Sequence, residues 1–283
     1  MARQFGLIGY PLGHSFSKEL HERLFALSGD SYAAYHMLEL PPNRLEQDWA
    51  ELSRLDGFNV TLPHKLLVYR KMQRHALSAR QCGSVNTVKR EPDGSLTGYN
   101  TDVVGFLRTM ELLPHTLRER VLLLGCGGAA HMMAAQTVAQ GGSLTVAVRP
   151  TALERAETMA NSLRLLSPDC RVRVTRIDRI PREPFDVLLQ ATPCGMYPNI
   201  DQTPIPESVL EQAGCLFDAI YRPSETLLMR MARKMGIPTA GGMPMLIYQA
   251  VAAHEIWDNA RYSNETVTVL LNDFTGKDGV QTR

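Results

Sequence analysis

Residues 122–130 read LLLGCGGAA, an apolar run that enters a glycine turn and passes at once into small residues suited to a tightly packed helix. A strand, a glycine turn and a helix N-terminus in that order cradle the pyrophosphate of a dinucleotide, because the first helical turn offers unpaired N–H groups to negative oxygens. Gly125 suits the tight turn, Gly127 lets the backbone reach the pyrophosphate, and Ala130 keeps helix and sheet close. Close packing alone also selects small residues at such junctions, so the flanks decide the reading. Residues 132–140 are long enough for a crossover helix and residues 144–148 form a second β-rich run, completing a strand-helix-strand unit. The motif points to a nicotinamide dinucleotide and to an oxidoreductase.

Outward from this unit, strands near Val121, Thr145, Val172, Val187 and Leu216 alternate with helical stretches. That alternation predicts a doubly wound, Rossmann-type dinucleotide-binding domain over residues 106–242. The first hundred residues alternate as well: strand 5–9, a helical face of Phe16, Leu20, Leu24 and Leu27, strand 32–38, a second face of Leu45, Trp49, Leu52 and Leu55, and a short strand at 57–61. EPDG at 91–94 is a turn between SVNTVKR and SLTGYN. These elements predict an N-terminal α/β substrate domain over 1–105. Helices at 245–257 and 266–274 are too few for a domain and are expected to return to the first one, so that 243–275 completes it and 276–283 is a polar tail.

The chain has 283 residues, 44% of them hydrophobic, enough for two cores. With a net charge of +1 and basic residues thinly spread, it carries no stripe for a nucleic-acid backbone. No run of eighteen apolar residues is present and no charged-then-apolar leader follows Met1, so a soluble, cytoplasmic protein without a membrane partner is expected. Five scattered cysteines without CxxC spacing read as reduced thiols, and eight dispersed histidines, His14 and His21 among them, suggest no metal. Oligomeric state is left as monomer or homodimer.

Polar groups gather where loops leave strands in the first domain. Ser15 and Ser17, two apart before a helix, suit either a small carboxylate or simple capping. In GFNVTLPHK, residues 57–65, Asn59 and Thr61 share a strand face; Pro63 is expected to begin a helix with Lys65 in its first turn, where a positive charge opposes the dipole. GYNTD, residues 98–102, leads into a helix expected at 103–113, with Asp102 as a functional acid or an N-cap, and Asn86 is polar among apolar neighbours. At the end of the second Rossmann strand, where NAD enzymes place an acid, Arg149 stands instead, with Thr151 and Arg155 nearby. NADP is favoured, with NAD as the alternative.

HSxS, GFNVTxPHK, VNT, GYNTD, GxGGA, ATPxGM, DxxYxPxxTxLL and GxxML followed by Gln occur in one order along nearly the entire chain. In this the chain resembles the shikimate dehydrogenase family. The resemblance implies that Ser15, Ser17, Asn59, Thr61, Asn86, Asp102, Tyr221 and Gln249 hold a substrate's carboxylate and hydroxyls, with Lys65 and Asp102 as the catalytic pair. For the cofactor it implies Gly125, Cys126, Gly127, Gly128, Ala129, Arg149, Thr151, Arg155, Thr192 and Gly242. Three positions depart from the family pattern: Val148-Arg149-Pro150 in place of Asn-Arg-Thr, Lys18 in place of Pro, and Gln190 in place of Asn. The reading is NADP-linked reduction of 3-dehydroshikimate to shikimate on the chorismate route to aromatic amino acids. A quinate/shikimate dehydrogenase paralogue and a non-catalytic quinate/shikimate sensor are the alternatives, the sensor opposed by the intact Lys65 and Asp102.

Overall fold

The computed structural model describes residues 2–13, 16–30, 32–259 and 261–275. Chain contacts divide it into two compact units. The first holds the described residues up to Gly105 together with Ile247–Val267; the second holds Phe106–Leu246 and the described residues from Thr268 onward. The tail expected at 276–283 lies outside the described residues.

The first unit runs β1 (Gln4–Gly9), α1 (Ser17–Ser28), β2 (Ala34–Glu39), α2 (Leu45–Leu52), β3 (Gly57–Val60), α3 (Lys65–Lys71), β4 (Arg74–His75), α4 (Leu77–Cys82), β5 (Thr87–Arg90) and β6 (Leu96–Tyr99), ending in the start of α5 (Asp102–Met110). Its six-stranded sheet has the order β2-β1-β3-β5-β6-β4. The β5–β6 hairpin is antiparallel, as the EPDG turn requires, while β1 pairs in parallel with β2 and β3. Strand alternation sorts side chains to two cores. Ile8, Phe58 and Val60 face a cluster with Leu45, Leu52, Val68 and Val88, whereas Phe5, Leu7 and Tyr35 face Phe25, Ala253 and Trp257.

Trp257 brings the C-terminal part of the chain back to this sheet. It lies near the end of α10 (Gly242–Asp258), and its indole N–H donates to the Val88 carbonyl at 2.9 Å. A Cβ on Gly57 would stand 2.3 Å from that indole nitrogen, so glycine is what lets the ring lie on β3. Lys89 Nζ adds a bond of 2.6 Å to the Ile256 carbonyl. Burying an aromatic of this size is worth about 3–5 kcal/mol. Helix α11 (Asn264–Thr275) follows.

The second unit contains β7 (Arg120–Leu124), α6 (Gly128–Ala139), β8 (Ser143–Val148), α7 (Leu153–Leu166), β9 (Arg171–Arg176), β10 (Phe185–Gln190), α8 (Glu207–Leu210), β11 (Ala213–Asp218), α9 (Leu227–Lys234) and β12 (Thr239–Ala240). The order β12-β11-β10-β7-β8-β9 is parallel throughout. It reverses between β7 and β10, the switch point at which such sheets bind ligands beyond their carboxyl ends. Leu122, Leu124, Leu188 and Leu216 pack on one face against Leu210, Leu228 and Met229 of α8 and α9.

Three local expectations shift. Helix α3 begins at Lys65, not Pro63, because residues 61–64 form a turn closed by His64 N–H on the Thr61 carbonyl. Helix α5 stops at Met110, ahead of Leu113, which Pro114 holds out of helical backbone. On α1 the inward stripe is Leu20, His21, Leu24 and Phe25, with Leu27 exposed.

Candidate functional site

In the first unit, Lys65 opens α3 and Asp102 opens α5, and Nζ donates to Oδ2 at 2.6 Å. The side chains are 27% and 20% exposed, open enough to meet a ligand and sheltered enough for a directional bond. A carboxylate in the first turn of α5 is favoured by the helix dipole, while the lysine at the start of α3 opposes its own; Asp102 offsets that cost. The pair marks its surroundings. Burial pushes the Cys82 thiol up to about 12, aided by the Asp102 charge and opposed by Lys65.

Beside this pair lies a buried polar network. Asn86, just ahead of β5, accepts the Thr101 backbone N–H on Oδ1 at 2.7 Å and donates from Nδ2 to Thr101 Oγ1 at 3.1 Å. Thr101 Oγ1 donates to Gln249 Oε1 at 3.5 Å. Asn59 projects from β3, accepts the Tyr35 hydroxyl at 2.7 Å and donates to Thr87 Oγ1 at 3.0 Å. Thr61 leaves β3, its N–H donating to the Ile8 carbonyl, and its methyl occupies the space above Gly9 where a Cβ would stand 2.3 Å away. Ser17 is buried as the first residue of α1, whose N-cap is Phe16. Ser15 lies outside the described residues. Tyr221 belongs to the second unit, in the loop after β11, and burial raises its hydroxyl's pKa above the usual phenol value.

In the second unit, the glycine turn leaves β7 with Gly125 at φ +107° and its α-carbon face against the Ala191 carbonyl, which a Cβ would approach to 3.1 Å. The two loops at the switch point therefore touch. Gly127 is the N-cap of α6 and has no side chain to cap it; at Gly127 and Gly128 no atom of the described residues lies within 4 Å of where a Cβ would stand. Gly127, Gly128 and Ala129 are exposed while Ala130 is fully buried against the sheet. An uncapped helix N-terminus with open space in front of it fits the phosphates of a dinucleotide. Cys126 is buried and takes Arg155 Nε on its sulfur at 3.2 Å. Arg149, Thr151 and Arg155 are exposed after β8.

Two residues outside the expected set shape the adjoining loops. Gln190, fully buried at the end of β10, accepts Thr192 N–H and Oγ1 at 3.0 Å each and donates to the Cys194 carbonyl at 3.0 Å. The departure from Asn thus places an amide that folds the loop holding Thr192. Asp218, fully buried at the end of β11, accepts Ile220 N–H at 3.0 Å and the hydroxyl of Thr226 at 2.7 Å, and Thr226 caps α9. Burial lifts the Asp218 carboxyl to about 6 against those two bonds. Both had a signal in the sequence, a polar residue closing an apolar run at a strand's carboxyl end. Gly242 sits flush on the Ala219 carbonyl, which a Cβ would meet at 2.3 Å. Packing demands glycine there.

A third cluster stands at the opposite ends of the strands. His115, Glu119 and Asp186 bring ligand atoms within 4.8 Å of one another, but Arg120 holds both Asp186 oxygens and His115 holds Glu119 at 2.9 Å. These bonds make it an ion-pair cluster.

Residues 7–88 match the family model of the shikimate dehydrogenase substrate binding domain. A shikimate dehydrogenase (NADP(+)) of Methanocaldococcus jannaschii is 35% identical over 275 residues, covering 95% of each chain. The crystal structure of shikimate 5-dehydrogenase from Listeria monocytogenes in complex with shikimate and NAD is similar with a TM-score of 0.84 at 26% identity, covering 95% of this chain and 96% of that one. The Thermus thermophilus shikimate 5-dehydrogenase in complex with NADP(H) and shikimate is similar with a TM-score of 0.82 at 26% identity, covering 96% and 99%. With the fold, the paired lysine and aspartate and the glycine cradle all in place along one colinear match, the chain belongs to the shikimate dehydrogenase family.

Proposed function

We propose that this protein interconverts 3-dehydroshikimate and shikimate with NADP(H). The observation that carries the reading is the 2.6 Å bond between Lys65 and Asp102, set beside the buried Asn86, Thr101 and Gln249. When bound, the nicotinamide supplies or accepts the hydride. Reduction of a ring ketone gathers negative charge on its oxygen, and the Lys65 ammonium stabilises that charge and delivers the proton. Asp102 holds the ammonium in place and accepts a substrate hydroxyl on its remaining oxygen. Asn59, Asn86 and Gln249 are the proposed partners of further hydroxyls, and Ser15, Ser17, Thr61 and Tyr221 of the carboxylate end.

The exposed N–H groups at residues 127–129 are the proposed pyrophosphate donors, and Arg149, with Thr151 and Arg155, the proposed partners of a 2′-phosphate. In this reading residues 1–105 and 243–275 serve substrate and catalysis and 106–242 the cofactor. No helix among the described residues is long and apolar enough to cross a membrane. We place the enzyme in the cytoplasm, in keeping with its five free thiols, as a monomer or homodimer.

Steady-state rates with shikimate and quinate, each with NADP and NAD, test the whole reading through nicotinamide absorbance. Shikimate with NADP is expected to give the highest kcat/KM. A preference for quinate or NAD would make the protein the broader paralogue, and binding without turnover would make it a sensor.

A further inference from the structure

We infer that Tyr35 is a positioning residue for the substrate site, setting the direction of a buried hydrogen-bond chain that runs through Asn59, Thr87, Asn86 and Thr101 to Gln249. The inference rests on the proposed function for its kinetic meaning, and on the geometry alone for its existence.

Tyr35 is 3% exposed, its ring stacked on His21 at 4.2 Å between centroids and 5° between planes. Burial raises its hydroxyl well above the usual phenol pKa, so it stays a donor across the working pH range. Its hydrogen meets the Asn59 carbonyl oxygen at 2.7 Å, and the Asn59 amide nitrogen is turned to Thr87 Oγ1 at 3.0 Å. Having accepted from Asn59, Thr87 has two acceptors for its own hydrogen, Asn86 Oδ1 and Thr101 Oγ1, each at 3.0 Å, and both lead toward Thr101. A second donor fixes Asn86 from the other side, since the Thr101 backbone N–H at 2.7 Å can meet only an acceptor.

Asn86 Nδ2 then donates to Thr101 Oγ1, and the Thr101 hydrogen is directed to Gln249 Oε1. Gln249 is thereby held with its oxygen toward Thr101 and its amide nitrogen on the other side, as a donor. Without the Tyr35 hydroxyl, the Asn59 amide can flip, at the cost of its 3.4 Å bond to the Asn86 carbonyl, and take the Thr87 hydrogen on its oxygen. Thr101 then turns its hydrogen to Asn86 Oδ1, 3.2 Å away, and Gln249 Oε1 loses that donor.

Tyr35→Phe keeps the ring stacked on His21 and removes only the donor. We expect KM for shikimate to rise about five- to tenfold, with kcat changed less and KM for NADP unchanged, the size of one net hydrogen bond. Thr87→Val cuts the same chain, so the double variant should have the KM of Thr87→Val alone; an effect that multiplies, or an unchanged KM in Tyr35→Phe, overturns the inference. Side-chain amide ¹H–¹⁵N resonances of the ligand-free protein give a readout independent of turnover. Those of Gln249 should move in Tyr35→Phe and move alike in Thr87→Val, and a Gln249 signal that stays put in both overturns the inference. Failure of the wild type to turn over shikimate would defeat the proposed function while leaving this readout to decide on Tyr35.

Discussion

Asn59, Asn86, Thr87 and Thr101 in the first unit direct their hydrogen bonds largely to one another, whereas Gly127, Gly128 and Ala129 in the second leave a helix N-terminus uncapped and exposed. One site is made of side chains locked before any ligand arrives, the other of backbone donors facing open space. The difference teaches where each binding preference is stored. Side-chain networks fix which groups meet which atoms, so they can discriminate among polyols; a glycine cradle recognises any pyrophosphate and leaves discrimination to its rim, for which Arg149, Thr151 and Arg155 are the residues proposed.

The sharpest break in that comparison is Lys65→Met. It removes the cation paired with Asp102 and leaves the network of Asn86 and Thr101 intact. Loss of transition-state stabilisation and of the proton donor is expected to lower kcat about 100-fold or more, with KM for shikimate and for NADP shifted only a few-fold. Near-normal turnover would remove Lys65 from the chemistry.

Acid separates the two units in opposite directions. In the first, burial holds His21 well below the ordinary imidazole pKa, reinforced by its neighbour His254 at 3.0 Å; His254 is lowered by burial too, against the opposing pull of Asp258. Arg3, Asp30 and Asp258 are the charged groups around that pair. The folded state keeps both rings neutral while the unfolded chain takes up protons below about pH 6.5, so this contribution is present above that pH and is lost on acidification. In the second unit, Asp218 titrates at about 6 when folded against 3.8 when free. Its contribution is fully present below about pH 4 and is lost as pH rises through about 6, a swing of roughly 2–3 kcal/mol. Denaturant unfolding of wild type and Asp218→Asn at pH 7.5 and 4.5 should show the wild type gaining on the variant by about 2 kcal/mol in acid. A constant gap between them would remove Asp218 as the source.

Residues 122–130 were readable because the left-handed turn and close backbone approach at Gly125, which favour glycine, stand between an apolar strand and a helix of small residues. The parallel second sheet was readable as well, from strand runs that alternate with helices except between β9 and β10, which only a 3-10 turn at Ile177–Arg179 separates. Lys65 and Asp102 are different. Each alone fits a bland role, a solvated lysine or a capping aspartate, and the bond between them spans 37 positions closed by the β5–β6 hairpin, so only the ordered family motifs joined them. Tyr35 and His21 looked like ordinary strand and helix residues because their partners are distant, His254 being 233 positions from His21. Strands β4 and β12, of two residues each, carry no periodicity to detect.

The smallest expected effect refines the opening contrast, since it asks whether the open cradle is open for a ligand or merely loosely packed. Gly127 has φ −81° and ψ −172°, extended backbone that any residue adopts, and a Cβ there meets nothing within 4 Å. Gly127→Val should therefore fold in the absence of cofactor, losing no more than about 1 kcal/mol for the poorer N-cap. Its side chain would stand where the pyrophosphate must approach, raising KM for NADP on the order of tenfold while KM for shikimate stays put. Gly125→Ala is the control with the reverse signature: φ +107° and the Ala191 carbonyl at 3.1 Å oppose a Cβ, so it should lose roughly 1–3 kcal/mol of stability before any ligand is added. If Gly127→Val binds NADP as tightly as the wild type, the space before α6 is not where the pyrophosphate sits, and the division between a locked site and a waiting one fails at its second half.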